Sequence, residues 1–265
     1  MWGADCVQHL RGDFAFAIRD ARKKLLFCAR NRLGVKPFYY AVRGELFLFS
    51  NTLDCLRQHP EVSGVLDDAA IGDFLLFGLN RDTATTTFCD IRRLPEAQVI
   101  TASSEDLRIQ RYWSAPPEGR IRFNRMDDYV EHFQILLQAA VADRTRADRA
   151  GILLSGGLDS STIATTAREL SGSVGGTLGL RGYTVVYESL IPDHDGRYAR
   201  EAAEFLKIPQ RCIPIDNLRP FERRDEFETR SPEPVDDPFL RSCSTSSERS
   251  LRIAEWCFQE KARTI

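Results

Sequence analysis

Short alternations of apolar and polar residues dominate the first 114 residues and predict a region rich in β-strands. The segment GDFAFAIRD (12–20) alternates large apolar residues with small ones, and three more β-rich runs follow it. These runs are KKLLFCARN (23–31), KPFYYAV (36–42) and GELFLFSNT (44–52). The pair Arg43-Gly44 between the last two is typical of a hairpin turn.

The pattern then changes to one helix and two further strand segments. Residues 67–78 begin with aspartates, carry apolar residues at helical spacing and end at Gly78, so they predict a helix. Segments 91–103 and 107–114 return to β-type sequence. The segment APPEGRIRFN (115–124) is polar and rich in Pro and Gly, which predicts a linker.

After the linker, helices alternate with strands. Residues 126–146 predict a long amphipathic helix, whose predicted apolar face consists of Tyr129, Phe133, Leu136, Leu137 and Ala140. The strands 151–154, 181–189 and 210–216 alternate with the helices 161–170 and 196–208, and residues 171–176 predict a surface loop. This β-α-β-α-β order predicts a parallel α/β sheet. We therefore predict two domains, an α+β domain over residues 1–114 and an α/β domain over residues 125–265.

Composition narrows the class of protein without defining its chemistry. The net charge of −2 and the pI near 6.1 give no reason to expect nucleic-acid binding. No segment approaches the roughly 18 apolar residues of a membrane helix, and the N-terminus lacks a signal-peptide pattern. The seven cysteines contain no C-x-x-C pair, which favours reduced, mostly buried thiols. We expect a cytoplasmic protein.

The segment GILLSGGLDSS (151–161) carries the strongest chemical signal. A strand that ends in Ser-Gly-Gly before a helix offers backbone N–H groups and hydroxyls to an anion, aided by the helix dipole. The loop lacks the lysine of a Walker A motif, and Asp159 would repel bare phosphate but suits a Mg²⁺ ligand. The alternative is a tight strand-to-helix turn with Asp159 or Ser160 as the N-cap.

Two other polar clusters have ordinary explanations. The cluster Asp193-His194-Asp195 could suggest a metal site, but an acidic loop before a helix explains it as well. The second cluster contains Arg144, Arg146 and Arg149 and suits a solvated helix end.

The motifs together resemble one known family. The string LLSGGLDSS resembles the pyrophosphate loop of the N-type ATP pyrophosphatases. Upstream, LRGDFAFAIRDARKKLLFCARNRLGVKPFYYA resembles the latter half of the glutaminase domain of glutamine-hydrolysing asparagine synthetases, and FCDIRRLPEAQVI and RYWS resemble that family's domain junction. The resemblance spans about residues 1–240. It implies part of an N-terminal-nucleophile glutaminase sandwich, followed by part of a parallel-sheet ATP pyrophosphatase (PP-loop) domain.

The resemblance also implies a reaction and a set of ligand-binding residues. ATP would activate the β-carboxylate of aspartate as β-aspartyl-AMP, and ammonia, free or from glutamine, would then displace AMP. The residues implied to hold the pyrophosphate portion of ATP are Ser155, Gly156, Gly157, Asp159 and Ser160, with Asp159 acting through Mg²⁺. Leu153 and Val185 would contact the adenosine, although core packing in the sheet explains each of them equally well. A homodimer is compatible with the family.

The chain also departs from the family pattern. Residue 2 is Trp2, where such glutaminases begin with a nucleophilic cysteine, and no glutamine-binding segment is present. Cys6, in a helical stretch, and Cys28, in a strand, suit structural roles, so we assign no catalytic residue. Asn31 replaces the aspartate of the family's Arg-Asp-Arg.

The resemblance also implies a second loop in the synthetase site, similar to S-G-x-G-x-D-E. No such loop follows SPEPVDDP in this sequence. We therefore expect no glutaminase and no synthetase activity from residues 1–265 alone. Three functions stay open: an asparagine-synthetase-type amidotransferase, a non-catalytic nucleotide-binding remnant, and a relative of β-lactam synthetases or peptide macrocyclases.

Overall fold

The computed structural model describes residues 2–117, 119, 121–146, 148–173, 179–216 and 233. These residues fall into two compact units: the first contains those up to Gly119 together with Glu233, and the second contains those from Ile121 to Asp216. The described residues of the predicted linker, 115–124, contain neither helix nor strand. The domain boundaries 1–114 and 125–265 stay predictions, and much of the second range lies outside the described residues.

Most helices and strands follow the predicted order with shifted ends, but the helix at Leu53–Arg57 was not predicted. A 3₁₀ turn at Gly3–Asp5 precedes the helices, which are α1 (Cys6–His9), α2 (Leu53–Arg57), α3 (Asp68–Phe77), α4 (Met126–Arg144), α5 (Leu158–Ser173) and α6 (Asp195–Leu206). The strands of the first unit are β1 (Ala15–Asp20), β2 (Leu25–Arg30), β3 (Tyr39–Arg43), β4 (Leu46–Ser50), β5 (Arg92–Arg93), β6 (Gln98–Ala102) and β7 (Leu107–Arg111). Those of the second unit are β8 (Arg149–Leu153), β9 (Gly179–Val186) and β10 (Gln210–Pro214).

The first unit contains two antiparallel sheets that share a core. One sheet has the order β1-β2-β6-β7 and the other the order β4-β3-β5. Side chains from both sheets form one buried cluster, made of Cys28, Phe38, Tyr40, Leu94, Ile100 and Ala102. Val7 of α1 belongs to a cluster with β2 and β6, and α2 belongs to a cluster with β3. Helices therefore cover the outer faces of both sheets.

Local sequence chemistry explains the hairpin and the helix of this unit. β3 and β4 pair antiparallel around a two-residue turn at Gly44 and Glu45, one residue later than the predicted Arg43-Gly44, and Gly44 adopts a positive φ of 55°, as a tight hairpin requires. The carboxylate of Asp67 accepts the backbone N–H of Ala70 at the start of α3, and Gly78 ends the helix in the left-handed conformation. Both predictions are confirmed.

The segment 91–103 does not form one strand as expected. It splits into β5, which pairs with β3, and β6, which pairs with β2. Pro95 cannot donate a ladder hydrogen bond, and Ala97 has a φ of 56°, so the chain turns here and passes from one sheet to the other. The alternating pattern could not reveal this change of sheet because both halves remain β-type.

In the second unit a parallel sheet of order β10-β9-β8 confirms the predicted β-α-β-α-β arrangement. One face of this sheet packs against residues of α4, α5 and α6 in a single cluster that contains Leu154, Leu180, Ala164 and Ala199. α5 continues to Ser173, so the predicted loop 171–176 is wrong in its first half. Residues 174–176 lie outside the described residues.

The predicted apolar face of α4 is only partly correct. Val141 is its one buried residue, and Leu137 packs against the cluster. Tyr129, Phe133 and Leu136 are 40%, 59% and 54% exposed. Helical periodicity identified a stripe of apolar residues, but it could not say which part of the stripe a neighbouring element covers.

A partly buried ion pair links a distant residue to the first unit. Arg93 Nη2 donates to both carboxylate oxygens of Glu233, at 2.7 and 2.8 Å, and the hydroxyl of Tyr39 donates to Glu233 at 3.2 Å. The side chains of Arg93 and Glu233 are 22% and 19% exposed. Burial and then the nearby Glu233 carboxylate raise the pKa of Tyr39.

We expect Glu233→Gln to destabilise the first unit by about 1–3 kcal/mol, because Arg93 would keep its charge in a partly buried position without a counter-charge. Hydrogen exchange across β3 and β5 measures this loss. The pKa of Tyr39, followed by ultraviolet titration, should fall as well. Glu105→Gln, on an exposed turn, is the matched control. Equal behaviour of the two variants would contradict the prediction.

Candidate functional site

The small-residue loop, residues 155–157, lies where the sequence placed it, between the carboxyl end of β8 and the start of α5. The N–H of Leu154 donates to the carbonyl of Tyr183 at 2.7 Å, which extends the pairing with β9 up to the loop. The hydroxyl of the buried Thr184 donates to the carbonyl of Leu154 at 2.7 Å. The strand end is therefore fixed before the chain turns.

Two serines close the loop on itself. The hydroxyls of Ser155 and Ser160 lie 3.1 Å apart, and Ser160 Oγ also accepts the N–H of Ser155 at 3.2 Å. The first N–H groups of a helix have no partner within the helix, so the loop stands at the positive end of the α5 dipole. Hydroxyls and backbone N–H groups are thus gathered in a form suited to an anion.

α5 begins earlier than predicted, and this changes the positions of Asp159 and Ser160 in the helix. The helix starts at Leu158 rather than at 161, so both residues lie in its first turn. Neither is the N-cap, which corrects the alternative of a cap at Asp159 or Ser160. Asp159 is exposed, and its carboxylate makes no hydrogen bond or ion pair with another residue of the described part of the chain.

Gly156 permits a contact that no other residue could make. Its φ is +76°, and a Cβ built on it would lie 2.4 Å from Tyr198 Cβ and 2.5 Å from the backbone N of Ala199. The loop therefore rests directly on the backbone of α6. Tyr198 and Ala199 were not among the predicted site residues. The one signal in the sequence for this close contact is the set of small residues in YAREAA.

Leu153 and Val185 lie on the sheet face opposite the helices. β8 and β9 pair with Leu153 opposite Tyr183, so Val185 is two residues further along β9 on the same face. Leu153 is 72% exposed and Val185 is 40% exposed. Leu153 therefore lies outside the core of the described part of the unit, whereas Val185 is partly covered, and Tyr183 between them on the same face is buried.

Comparison with known proteins adds family membership to this geometry. Residues 1–113 match the family described as "Glutamine amidotransferase domain", and residues 132–241 match the family described as "Asparagine synthase". The chain is 34% identical over 226 residues to glutamine-hydrolyzing asparagine synthetase 3 of Bacillus subtilis (strain 168), which covers 80% of this chain and 36% of that protein. The chain belongs to the family of glutamine-hydrolysing asparagine synthetases.

Two further relatives show the range of similarity. The chain is 28% identical over 222 residues to glutamine-hydrolyzing asparagine synthetase 2 of B. subtilis, covering 80% of this chain and 29% of that protein. It is 26% identical over 263 residues to the amidase chyE of Penicillium rubens, covering 89% of this chain and 36% of that protein. The chain thus spans about a third of the length of these relatives.

The departure from the asparagine synthetase pattern at Asn31 occurs in a buried position. Asn31 is 2% exposed, and its Oδ1 accepts the N–H of Lys36 at 3.2 Å. Beside it, the guanidinium of Arg30 donates to the carbonyls of Lys36, Leu94 and Gly34 at 2.8, 2.7 and 2.5 Å. An amide retains the acceptor that this loop uses without placing a charge in the buried site.

The cysteines of this family member agree only partly with expectation. Cys28 is buried in β2, and burial raises the pKa of its thiol to about 12, so it stays protonated at neutral pH. Cys6 begins α1, as expected for a helical position. Cys55 and Cys89 are exposed, which contradicts mostly buried thiols among the described cysteines, all of which are free. Cys243 and Cys257 lie outside the described residues.

The two polar clusters have the ordinary explanations. Asp193 accepts the N–H of Gly196 at 3.0 Å and that of Tyr187 at 2.9 Å, and these bonds lower the pKa of its carboxyl group. It thus caps the start of α6. In the second cluster Arg144, Arg146 and Arg149 are exposed, and Arg146 pairs with Asp143. The interpretation as a helix end is wrong for Arg149, which begins β8.

We expect Gly156→Ala to cost about 2–4 kcal/mol of folding stability, because the new Cβ would overlap the α6 backbone and a positive φ would be imposed on alanine. Chemical denaturation and hydrogen exchange of α6 measure this effect. Gly157→Ala is the matched control, since a Cβ there meets only Ser155 Oγ, at 3.4 Å. A Gly156 variant as stable as the Gly157 variant would show that the close contact is unimportant.

Proposed function

We propose that this chain supplies the ATP-binding part of an ATP-dependent amide synthesis in which aspartate is the acceptor. The supporting observation is the loop at residues 155–157, which gathers hydroxyls and backbone N–H groups at the start of α5 and rests on α6. In this proposal Ser155, Gly156, Gly157 and Ser160 contact the pyrophosphate portion of ATP. The second unit is then part of a PP-loop domain.

Mg²⁺ fits the proposed site through Asp159. Mg²⁺ is usually held by one or two carboxylates together with substrate phosphates and water. Within the described residues, no group of three or more histidine, cysteine, aspartate or glutamate side chains could hold a metal on its own. A single exposed carboxylate beside a phosphate loop suits an ion that the substrate helps to bind. When bound, Mg²⁺ would neutralise charge on the phosphates.

The proposed chemistry depends on position and charge. A carboxylate oxygen of aspartate forms a bond with the α-phosphorus of ATP, and the bond from that phosphorus to the bridging oxygen breaks, releasing pyrophosphate. Ammonia then attacks the activated carbonyl, and AMP leaves with the electron pair of the acyl–oxygen bond. The loop contributes by holding the polyphosphate in place and by donating hydrogen bonds to the charge that develops on it.

The exposed pair Leu153 and Val185 suits the adenosine. Both side chains lie on one face of the sheet near its carboxyl edge, where ligands bind in open α/β sheets. A nucleoside placed against them would cover apolar surface that the described residues leave exposed. The affinity of the site for the base would then come from apolar contact, and the loop would supply the affinity for phosphate.

For the first unit we infer an N-terminal-nucleophile glutaminase-type sandwich, because two antiparallel sheets share a core and carry helices on their outer faces. Glutamine or ammonia would be the nitrogen source. The expected lack of glutaminase and synthetase activity in residues 1–265 stays a prediction. Three further expectations also stay predictions: the cytoplasmic location, the absence of nucleic-acid and membrane partners, and the homodimer. Within the described residues, no helix has the length and apolar character needed to span a membrane.

The second candidate function is ATP-dependent amide synthesis with a carboxylate acceptor other than aspartate. The similarity to an amidase extends over 89% of this chain, slightly more than the similarity to the asparagine synthetases quoted above. β-Lactam synthetases and peptide macrocyclases are further candidates with other carboxylate acceptors, and a nucleotide-binding remnant would have none. Pyrophosphate exchange into ATP separates these cases, since it requires the matching carboxylate acid. Exchange with aspartate supports asparagine synthesis. Mg-ATP binding without exchange is the result expected of residues 1–265 alone, and it fits both the proposed ATP-binding part and the remnant.

We expect Asp159→Asn to weaken Mg-ATP binding by about 10–100-fold, as the loss of a residue near a metal commonly does. Isothermal titration of residues 1–265 with and without Mg²⁺ measures this. The control is Asp148→Asn, an exposed aspartate just before the opposite end of β8. An unchanged affinity in the Asp159 variant would remove the role assigned to this carboxylate, and no binding by the unmodified chain would overturn the proposed function.

A further inference from the structure

A single carboxylate holds the chain that follows β9. Asp216 accepts the N–H groups of three consecutive residues, Glu188, Ser189 and Leu190, each at 2.7 Å. It also accepts the hydroxyl of Ser189 at 3.0 Å. These amides hold the pKa of Asp216 far below its usual value, so the carboxylate is ionised throughout the neutral range.

Asp216 is itself fixed by the sheet. The N–H of Ile215 donates to the carbonyl of Val186 at 3.1 Å, which continues the parallel pairing of β9 and β10 to the residue before Asp216. Ile215 is buried. The carboxylate therefore stands at a defined position beside the end of β9, and the following segment, residues 187–193, is arranged around it.

Packing does not order this segment. Leu190 and Ile191 are 67% and 51% exposed, and Glu188 and Ser189 are exposed as well. The restraints are polar: Asp216 holds the amides of 188–190, and Asp193 holds the amide of Tyr187. The segment has exposed apolar side chains, and its backbone is held by two carboxylates, its own Asp193 and Asp216 after β10. Its shape therefore depends on those carboxylates.

The segment lies at the same edge as the small-residue loop. β8 and β9 are parallel, so their carboxyl ends meet at one edge of the sheet. Asp193 also accepts the N–H of Gly196 in the first turn of α6, and α6 makes the contact with Gly156. A continuous set of contacts thus runs from Asp216 through residues 187–193 to the loop.

The chemistry of the segment differs from that of the loop. Glu188 places an exposed carboxylate there, which disfavours polyphosphate, while Leu190 and Ile191 offer apolar surface. The part of ATP that suits such a surface is the nucleoside. In this division, residues 155–160 would bind the phosphates.

We propose that Asp216 is a positioning residue that shapes residues 187–193 into the nucleoside side of the binding site, without itself touching the ligand. This inference rests on the proposed function. Without the Asp216 carboxylate, residues 187–193 are no longer held in the arrangement that binds the nucleoside. The phosphate loop keeps its own hydrogen bonds between Ser155 and Ser160.

The test is Asp216→Asn in residues 1–265, with hydrogen exchange and two titrations. Exchange at the amides of residues 188–190 should become faster. Affinity for Mg-ATP should fall about tenfold, the factor expected if the competent arrangement is populated about a tenth of the time. Affinity for Mg-pyrophosphate should stay unchanged, which a general loss of structure would not allow. Ser189→Ala, which removes only the hydroxyl contact, should give a smaller change in the same direction, and Asp148→Asn should give none.

Three results would overturn the inference. Faster exchange with unchanged Mg-ATP affinity would mean that the segment does not form part of the site. An equal loss of affinity for Mg-ATP and Mg-pyrophosphate in both the Asp216 and Ser189 variants would mean that the role is only structural. Failure of the unmodified chain to bind Mg-ATP or Mg-pyrophosphate would overturn the proposed function and this inference with it, and the titration of the unmodified chain identifies that case.

Discussion

The contact between Gly156 and the backbone of α6 is the constraint on which the candidate site depends. There is no room for a Cβ at this position, because Tyr198 Cβ and the N atom of Ala199 occupy the space that it would fill. The positive φ at Gly156 turns the chain out of β8, and the hydroxyls of Ser155 and Ser160 then close the loop. A larger residue would push the loop away from α6 and change the direction in which α5 begins.

Charged side chains that bind backbone or other polar groups, more than apolar packing, shape several loops in each unit. In the first unit, Arg30 donates to the carbonyls of Gly34 and Lys36 in the loop after β2 and to that of Leu94 between β5 and β6, and Arg93 pairs with Glu233. In the second unit, Asp193 and Asp216 accept backbone N–H groups around the end of β9. Charged groups make stronger hydrogen bonds than neutral ones, and an unpaired buried amide is costly. Loops with little apolar burial can therefore still have defined shapes.

Apolar side chains are exposed at two places in the second unit, and the surroundings of the two places differ. Leu153 and Val185 lie on one sheet face near the carboxyl edge, beside the proposed phosphate loop, where the proposed nucleoside would cover them. The exposed residues of α4, such as Phe133, lie on a helix whose inner contact is made by Val141. Nothing in the described residues gives that surface a ligand. Family membership and the limited share of the relatives' length are both facts of this chain.

The amino-acid sequence by itself determined the elements, their order and the chemical character of the loop, because these depend on local spacing and on residue type. The hairpin at Gly44, the end of α3 at Gly78 and the string SGGLDSS follow from turn geometry and backbone freedom within a few residues. Only the tertiary structure decided the split of segment 91–103 between two sheets, the exposure of Leu153 and Val185, and the partners of Gly156 and Asp216. Each of these depends on which distant residue is a neighbour: Gly156 lies 42 residues before Tyr198 in the chain (198 minus 156), and Asp216 lies 28 residues after Glu188. Periodicity along the chain cannot encode such a separation.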